Sequence, residues 1–384
     1  MQTLAISLAW LTLIACCVAM TRVLWGLSQI AKLASLRPCT DEEAFSLSII
    51  MPARNEQLDI EEAVRSLLQQ DYPAFELVVV DDRSTDRTPE ILCRLAEENS
   101  RLKVVRIDTL PAGWLGKNHA LHVAAEQVES ELILFTDADI VYQPQTLRRA
   151  ISMVRMHQLD HLAVVPEVIM PNVLLRSFAV TFAIFFLQYF RPWAARDPAS
   201  NAYIGIGAFN LIRTNVLRRI GGLEKLRMRP DDDVKLGRVI KMAGFRQDVA
   251  VGADAIGVRW YRSLREVIRG LEKNAFSGVD YRISVTVVSS LMALTLNVWP
   301  FVAVLVTAGD VQLINGLVGL LMVTFVTWTS WQMKSGWWSG LLFPVTVSIF
   351  VYIQWRTMLL TLWRGGISWR DTFYSLDELK RNVV

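Results

Sequence analysis

Hydrophobic and polar positions follow two regimes along this chain. Between residues 47 and 136, short apolar runs alternate with stretches of helical period: Leu47-Ser-Ile-Ile-Met51, Glu76-Leu-Val-Val-Val80, Lys103-Val-Val-Arg-Ile107 and Leu132-Ile-Leu-Phe-Thr136. After the first run, Ile60, Ala63, Val64, Leu67 and Leu68 recur at the spacing of one helix face. Tyr72-Pro73 breaks that helix, and Thr88 followed by Pro89 opens the next, a cap residue ahead of a proline in the first turn. The predicted order is β-α-β-α-β-α-β, a Rossmann-like α/β half-fold whose ligand belongs beyond the carboxyl ends of the strands.

The second regime is continuous apolarity. Leu4 to Leu27, Ser284 to Ala308, Val311 to Met333 and Ser339 to Trp363 each approach or exceed the roughly 20 residues that cross a bilayer. The expected organisation is a transmembrane anchor over 4–27, an α/β domain over 42–278, a C-terminal transmembrane region over 284–363 with about three spans, and a tail over 364–384. Inside the domain, Val173 to Phe190 is apolar but contains Arg176, and the uninterrupted part from Ser177 is short for a span. It is expected to be an interfacial or re-entrant helix. Over 262–275, Arg262, Arg265, Arg269 and Lys273 share one helix face and Leu264, Ile268, Leu271 and Ala275 the other, the pattern of a basic amphipathic helix on an anionic membrane surface.

Composition agrees with this division. Of 384 residues 52% are hydrophobic and mean hydropathy is +0.31, too apolar for an ordinary soluble enzyme. At 20% charged residues the chain is too charged for a bare channel, so a water-facing domain joined to membrane helices fits both figures. A net charge of +3 without interleaved aromatic and basic residues gives no nucleic-acid signature. Met1-Gln-Thr supplies no basic region ahead of the first apolar run, whereas Arg22, Lys32 and Arg37 follow its core. The expectation is an uncleaved anchor with its following side in the cytoplasm. Three C-terminal spans would then leave Arg364, Arg370, Lys380 and Arg381 on the far side, against the positive-inside tendency, so the number of spans and the side of the C-terminus stay open. Cys16, Cys17, Cys39 and Cys93 show no Cys-x-x-Cys spacing and no sign of a zinc site.

The polar residues that could carry chemistry cluster where the strands end: Pro52-Ala-Arg-Asn-Glu56, Asp81-Asp-Arg-Ser-Thr85 and Asp137-Ala-Asp139. Two carboxylates one residue apart after a buried strand suit a hard divalent cation that carries a diphosphate. No Gly-x-Gly-x-x-Gly follows the first strand and no Gly-Lys-Ser/Thr loop is present, which argues against dinucleotide and P-loop readings. His119 and His122 are three apart on a helix, but no third ligand is evident and both read as ordinary helix residues.

Several of these segments together resemble the ordered signatures of family 2 glycosyltransferases with the GT-A fold. They are Pro52-x-Arg-Asn-Glu56, Val80-Asp-Asp-x-Ser-Thr-Asp86, Gly113-Trp-Leu-Gly-Lys117 and Thr136-Asp-Ala-Asp139, then Gly205-x-Gly-Ala-Phe-Asn-Leu-Ile-Arg213, Gly221-Gly222 and Asp232-Asp-Val-Lys-Leu236. Within the family the chain is similar to the membrane-bound branch that modifies lipids: ceramide glucosyltransferase-like, hopene-associated and diaponeurosporenoate glycosyltransferases. The resemblance runs from about Leu47 to Gly278. It implies a GT-A domain with N- and C-terminal transmembrane helices, in a multi-pass protein of the cell membrane whose catalytic domain faces the cytoplasm. It also implies inverting transfer of a hexose from a nucleotide-diphosphate sugar, a UDP-sugar before others, to a lipid hydroxyl, with Mg²⁺ or Mn²⁺ as cofactor.

By the same resemblance Asp139 and Asp137 are the metal and diphosphate pair, with Asp139 the direct ligand. Asp82 contacts the base, Pro52, Asn55 and Glu56 shape the nucleotide pocket, and Lys117, in a loop with Gly113 and Gly116, reaches a phosphate. Family members carry Glu-Asp followed by leucine where this chain has Asp232-Asp233 and Leu236, so Asp233 is the expected base and Asp232 the alternative. Three adjacent carboxylates repel one another, which favours a raised pKa in one of them. Arg259-Trp260 resembles the end of a Gln-x-x-Arg-Trp motif, but Ile256 stands at the glutamine position, and Val258 to Tyr261 reads as a strand. A processive polysaccharide synthase and a non-enzymatic membrane sensor of nucleotide sugars are the alternative functions.

Overall fold

The computed structural model describes residues 2–369 and 372–382; Arg370, counted above among the tail's charges, lies outside the described residues. The strands are β1 (Ala31–Lys32), β2 (Leu47–Ala53), β3 (Phe75–Asp82), β4 (Leu102–Ile107), β5 (Leu132–Phe135), β6 (Ile140–Tyr142), β7 (His161–Ile169), β8 (Asn210–Arg213), β9 (Gln247–Arg259), β10 (Gly366–Trp369) and β11 (Thr372–Ser375). The helices are α1 (Gln2–Gln29), α2 (Ile60–Leu68), α3 (Thr88–Glu98), α4 (Gly116–Ala125), α5 (Thr146–Met156), α6 (Val173–Phe190), α7 (Thr214–Arg219), α8 (Asp232–Met242), α9 (Leu264–Leu271), α10 (Ile283–Asn297), α11 (Trp299–Val306), α12 (Asp310–Gln332), α13 (Ser339–Arg364) and α14 (Leu376–Arg381).

Two compact units emerge. One comprises 29–167, 191–259 and 381–384, the other 1–28, 168–190 and 260–380. Residues 168–190 and 260–278, which the sequence pattern assigned to the 42–278 domain, thus group with the apolar helices. The reason is chemical: Leu175, Phe178 and Ala179 of α6 and Val267 and Leu271 of α9 are buried in one cluster with Ile353 of α13.

The first unit is built on a nine-stranded sheet, ordered β1-β9-β7-β8-β5-β2-β3-β4 with β6 paired to β9. Strands β2 to β5 are the four expected from the apolar runs, and β4-β3-β2-β5 pair in parallel, Leu47 standing beside both Phe75 and Leu132. Being covered on both faces, β2 and β3 are buried almost throughout, which is why they read as continuous apolar runs rather than alternating ones. β3 runs on through Asp81 and Asp82, so these two carboxylates end the strand rather than follow it. β8 lies antiparallel between β5 and β7, with Phe135 opposite Asn210 and Ala163 opposite Asn210 on the other side. β9 includes Val258 and Arg259, but Trp260 and Tyr261 lie beyond its end, contrary to the strand expected there.

One hydrophobic cluster fixes the two helices that matter most to the site. Ala120, Leu121 and Ala124 of α4, Val216 and Leu217 of α7, and Leu236 and Ile240 of α8 pack with Ile50, Val80, Ile133, Phe135 and Ile212 of the sheet. Apolar burial is non-directional, but close packing leaves few voids, so the first turns of α4 and α8 are held at fixed places.

In the second unit, α1, α6 with its continuation to Ala194, α12 and α13 are long and apolar enough to cross a membrane. α10 and α11 are bent by 46° at their break and would add a fifth if taken as one span. α6 therefore meets the length that the sequence pattern denied it, because Arg176 sits in its first turns and its guanidinium donates to the Met170 carbonyl at 3.0 Å. Hydroxyl pairs join α6 to α13: Ser177 to Ser339 at 3.2 Å and Thr181 to Thr346 at 2.7 Å, the kind of small polar contact that holds apolar helices together. The basic helix occupies Leu264–Leu271, shorter than the expected 262–275.

Candidate active site

Three strand-end segments and the first turns of two helices converge at the carboxyl edge of the sheet. At the β3 side, Asp82 is almost fully buried and held bidentately by Arg83, with Nε at 2.7 Å and Nη2 at 3.0 Å, while Arg54 stands 4.0 Å away. The same carboxylate lies over the first residue of α4, and a Cβ on Gly116 would collide with its Oδ2. A negative charge there is favoured by the helix dipole, and only glycine leaves it room.

The 52–56 and 81–88 loops are laced together. The Asn55 amide donates to Ser84 Oγ (3.0 Å), the Thr85 amide to Asn55 Oδ1 (2.8 Å), and the Glu56 amide to Thr88 Oγ1 (2.9 Å). Asn55 and Arg83 both adopt left-handed backbone at φ 56°. Such conformations cost about 1 kcal/mol or more and persist where the surroundings impose them. Pro52, Asn55, Glu56 and Asp82 therefore do form one corner. The sequence reading missed Arg83, whose position directly after the aspartate pair was the available signal.

The second corner is richer in acid. Lys117, in the first turn of α4, bonds Asp137 Oδ1 at 2.8 Å and stands 3.7 Å from Asp232 Oδ2. A cation at a helix N-terminus opposes the dipole, so these carboxylates hold it there. Burial acts to lower the Lys117 pKa, yet Asp137, Asp232 and Asp233 outweigh it and keep the ammonium above its ordinary value. Asp139 is pushed up to about 7, first by burial and then by the neighbouring charges of Asp137 and Glu56. Burial also raises Asp233, against the pull of Lys117 and of the backbone amides of Val234 and Gly207.

The segment ahead of β8 ties these groups together. Gly207 donates its amide to Asp233 Oδ2 at 2.7 Å, and a Cβ on Gly207 would stand 2.7 Å from Asp137 Oδ2 and 3.3 Å from Asp233 Oδ2. A Cβ on Gly205 would overlap the Asp233 backbone. Thr136 and Tyr142 both donate hydroxyls to the Ala208 carbonyl, at 2.9 and 3.0 Å, and fix the loop from below. A pocket lined by Lys117, Thr136, Asp137, Gly207, Asp232 and Asp233 opens at this point.

Asp231 stands apart from its two neighbours. Arg229, itself buried, grips it bidentately at 2.9 Å through both nitrogens, and Lys235 lies 3.9 Å away. That anchor leaves Asp232 and Asp233 as the pair turned to Lys117 and Gly207. His119 and His122 pack against Trp114, with ring centroids 5.6 and 4.8 Å apart. Arg259 pairs with Glu62 at 2.8 Å.

Among the described residues no three His, Cys, Asp or Glu side chains converge as a metal-ligand set. Asp137 and Asp139 nonetheless fit a cation of the magnesium type, which takes one or two carboxylates and completes its shell with substrate phosphate and water. The raised carboxyl of Asp139 is an observation in the same direction: buried like charges of this kind favour a counter-cation.

Comparison with known proteins follows the same lines. Poly(ribitol-phosphate) beta-N-acetylglucosaminyltransferase TarS of Staphylococcus aureus is 38% identical over 119 residues, 30% of this chain and 20% of the relative. The 4,4'-diaponeurosporenoate glycosyltransferase of Staphylococcus haemolyticus is 36% identical over 99 residues, 26% of this chain and 25% of its own length. The beta-monoglucosyldiacylglycerol synthase of Synechocystis is 34% identical over 146 residues, 34% of this chain and 30% of that protein. The chain thus spans about a third or less of the length of these curated relatives. Among solved structures, the mannosyltransferase PcManGT from Pyrobaculum calidifontis, in complex with GDP-Man and Mn²⁺, superposes with a TM-score of 0.58 at 19% identity, covering 89% of this chain and 99% of that one, a likeness of fold. Residues 48–221 match the model of Glycosyl transferase family 2. The mixed sheet with its acidic strand ends is the core of a GT-A-like fold, and this chain carries a glycosyl transferase family 2 domain.

Proposed function

We propose that the protein is a membrane-bound inverting glycosyltransferase that moves a hexose from a nucleotide-diphosphate sugar, a UDP-sugar before others, to the hydroxyl of a lipid. The observation that carries this reading is the approach of the Asp137 and Asp233 carboxylates to one point at Gly207, 2.7 and 3.3 Å from where a Cβ would stand. Transfer needs a diphosphate-binding group and a base within reach of one sugar carbon, and this convergence supports it.

The laced corner of Pro52, Asn55, Glu56 and Asp82 takes the nucleoside. Lys117 meets the leaving diphosphate, exchanging its bond with Asp137 for one with phosphate oxygen. A divalent cation, Mg²⁺ or Mn²⁺, held by Asp139 and Asp137, would supply neutralisation of the diphosphate charge. The acceptor oxygen forms the new bond to the anomeric carbon while the carbon–oxygen bond to the diphosphate breaks. The acceptor proton passes to Asp233, whose raised pKa suits that task, with Asp232 as the alternative.

A lipid acceptor is supported by four helices long and apolar enough to cross a membrane and by relatives named for diaponeurosporenoate glycosylation and monoglucosyldiacylglycerol synthesis. The Mn²⁺ and GDP-Man of the mannosyltransferase structure support a metal and a nucleotide sugar. The domain faces the cytoplasm, where nucleotide sugars are available, and α6 is part of the membrane region.

The test is turnover by detergent-purified protein with UDP- and GDP-sugars and mixed lipids, with and without Mn²⁺, following lipid-linked sugar by mass spectrometry. Metal-dependent formation of one glycolipid is expected. Long polymer would instead indicate a synthase, and nucleotide binding without transfer a sensor.

A further inference from the structure

Gln247, the first residue of β9, lies outside every motif quoted above and has no part in the transfer reading, yet it is 1% exposed and both ends of its carboxamide are engaged. The Ile204 amide donates to Oε1 at 2.8 Å, and Nε2 donates to the Gly237 carbonyl in the middle of α8, also at 2.8 Å. Turning the amide over would set N–H against N–H and oxygen against oxygen, so its two partners fix its orientation. The side chain bridges the segment ahead of β8 to α8.

The bridge spans a junction that glycine closes from both sides. A Cβ on Gly205 would overlap the Asp233 carbonyl, and a Cβ on Gly237 would overlap the Ile204 carbonyl. Two backbones therefore touch here with no side chain between them, and α8 carries a glycine in its interior although alanine is the better helix former. Gln247 crosses this junction with a hydrogen bond at each end.

What the junction holds in place is the Gly207 amide. Downstream of it, Thr136 and Tyr142 fix the Ala208 carbonyl, and the Phe209 amide closes a tight turn onto the Ile206 carbonyl at 3.0 Å. Upstream, Gln247 fixes Ile204. Between these anchors the Gly207 amide donates to Asp233 Oδ2 at 2.7 Å, while the other carboxylate oxygen, Oδ1, accepts from the Val234 amide at 2.8 Å. The two bonds together set the plane of the carboxylate. Gln247 is itself well seated, since the Arg246 carbonyl just before it accepts the amides of Asp160 and His161 at 2.9 and 3.1 Å.

We propose that Gln247 is a positioning residue for transfer: by tying Ile204 to Gly237 it sets the Gly207 amide against Asp233 and so fixes the direction in which that carboxylate meets the acceptor hydroxyl. A reacting group misplaced by about 1 Å loses on the order of 10²-fold in rate, even when the change lies away from the chemistry. The corner formed by Pro52, Asn55, Glu56 and Asp82 is built on other segments, so the donor should bind as before.

The inference rests on the role proposed for Asp233, and its test has one arm that needs no transfer. Gln247→Met removes both hydrogen bonds at similar volume, and Gly237→Ala pushes against the Ile204 carbonyl while leaving Gln247 intact. In the full chain, in detergent and without donor, amide hydrogen exchange over 204–209 should quicken about tenfold in both variants, the scale of one lost hydrogen bond. In the turnover assay kcat should fall about 10- to 100-fold in both, with KM for the donor within about two-fold of the unchanged protein. Leu95→Ala, a truncation in the buried face of α3, is the control for general destabilisation and should leave kcat per folded molecule unchanged. Unchanged exchange or unchanged kcat in both variants would overturn the proposal, as would a rise in KM in place of the fall in kcat, or an equal fall in Leu95→Ala. If Gln247→Met does not fold, Gly237→Ala decides alone, because its substitution favours the helix and harms only the junction. Faster exchange in a protein whose unchanged form transfers no sugar would sink the transfer reading, and the role of Gln247 in it, while the tie between Ile204 and Gly237 stood.

Discussion

Asp82, at the end of β3, lies against Arg83 with Arg54 nearby, whereas Asp137, after β5, shares Lys117 with Asp232 at the start of α8. The first corner pairs its Asp82 carboxylate with arginine and is cross-braced by three loop-to-loop hydrogen bonds. The second is richer in acid, and burial, with neighbouring carboxylates adding to it, raises Asp139 and Asp233. A corner whose carboxylate is already paired suits a part of the substrate that does not change during reaction. A corner where one lysine meets several carboxylates suits the part where charge develops, because preorganised charge acts most strongly where it meets the transition state.

The difference can be tested by removing one group at a time. The largest effect is expected at Asp139. Replacement by alanine should abolish metal-dependent nucleotide-sugar binding and cost about 10³-fold or more in turnover, measured by calorimetry and product assay with and without Mn²⁺. Undiminished binding and turnover would remove the metal role.

Next comes Asp233→Asn, which should keep nucleotide-sugar binding within a few-fold while turnover falls about 10²- to 10⁴-fold. An active Asp233→Asn protein would move the base to Asp232, and the parallel Asp232→Asn variant would identify it.

The support beneath this corner titrates separately. His161, fully buried and paired with Asn210, is pushed down to about 4 by burial, against the stabilising bond from Asn210. Asn210 in turn donates to the Asp233 carbonyl at 3.4 Å. In the unfolded chain this histidine takes up a proton near pH 6.5. Stability is therefore fully present above pH 6.5 and lost as pH falls toward 4, by about 3 kcal/mol at most from this group. Melting temperature against pH should show the loss, and His161→Gln should flatten it over that window.

The smallest effect belongs to the paired corner. Arg83→Ala should raise KM for the donor about tenfold, the scale of one charge-assisted hydrogen bond, and leave kcat nearly unchanged. A matching fall in kcat would mean that the two corners are not separable.

Much of this arrangement was legible because strands β2 to β5 and helices α2 and α3 carry the local period of their elements, with turn residues and prolines where the chain changes direction. The acidic strand ends followed from that order. The partners were less visible: Arg83 holding Asp82, Arg229 holding Asp231, and Gly207 between Asp137 and Asp233 all depend on contacts that spacing does not encode. β8 is short and its place between β5 and β7 arises from pairing distant in sequence. α6 is longer than its uninterrupted apolar run suggested, since the charged residue in its first turns looked like an interruption, whereas its guanidinium turns back to the Met170 carbonyl.

The reversed direction of β8 has a consequence for how such a molecule can change. Its neighbour β7 runs parallel to β5, so the chain leaves the sheet after β7 and re-enters at Asn210 along the same edge that carries Asp137. Everything between those two points is an excursion whose length sets no rung of the ladder. A lineage could lengthen, shorten or replace the 170–200 segment, and with it what the protein meets beyond the sheet, while the alignment of Phe135 with Asn210 and the carboxylates around Gly207 stayed in register.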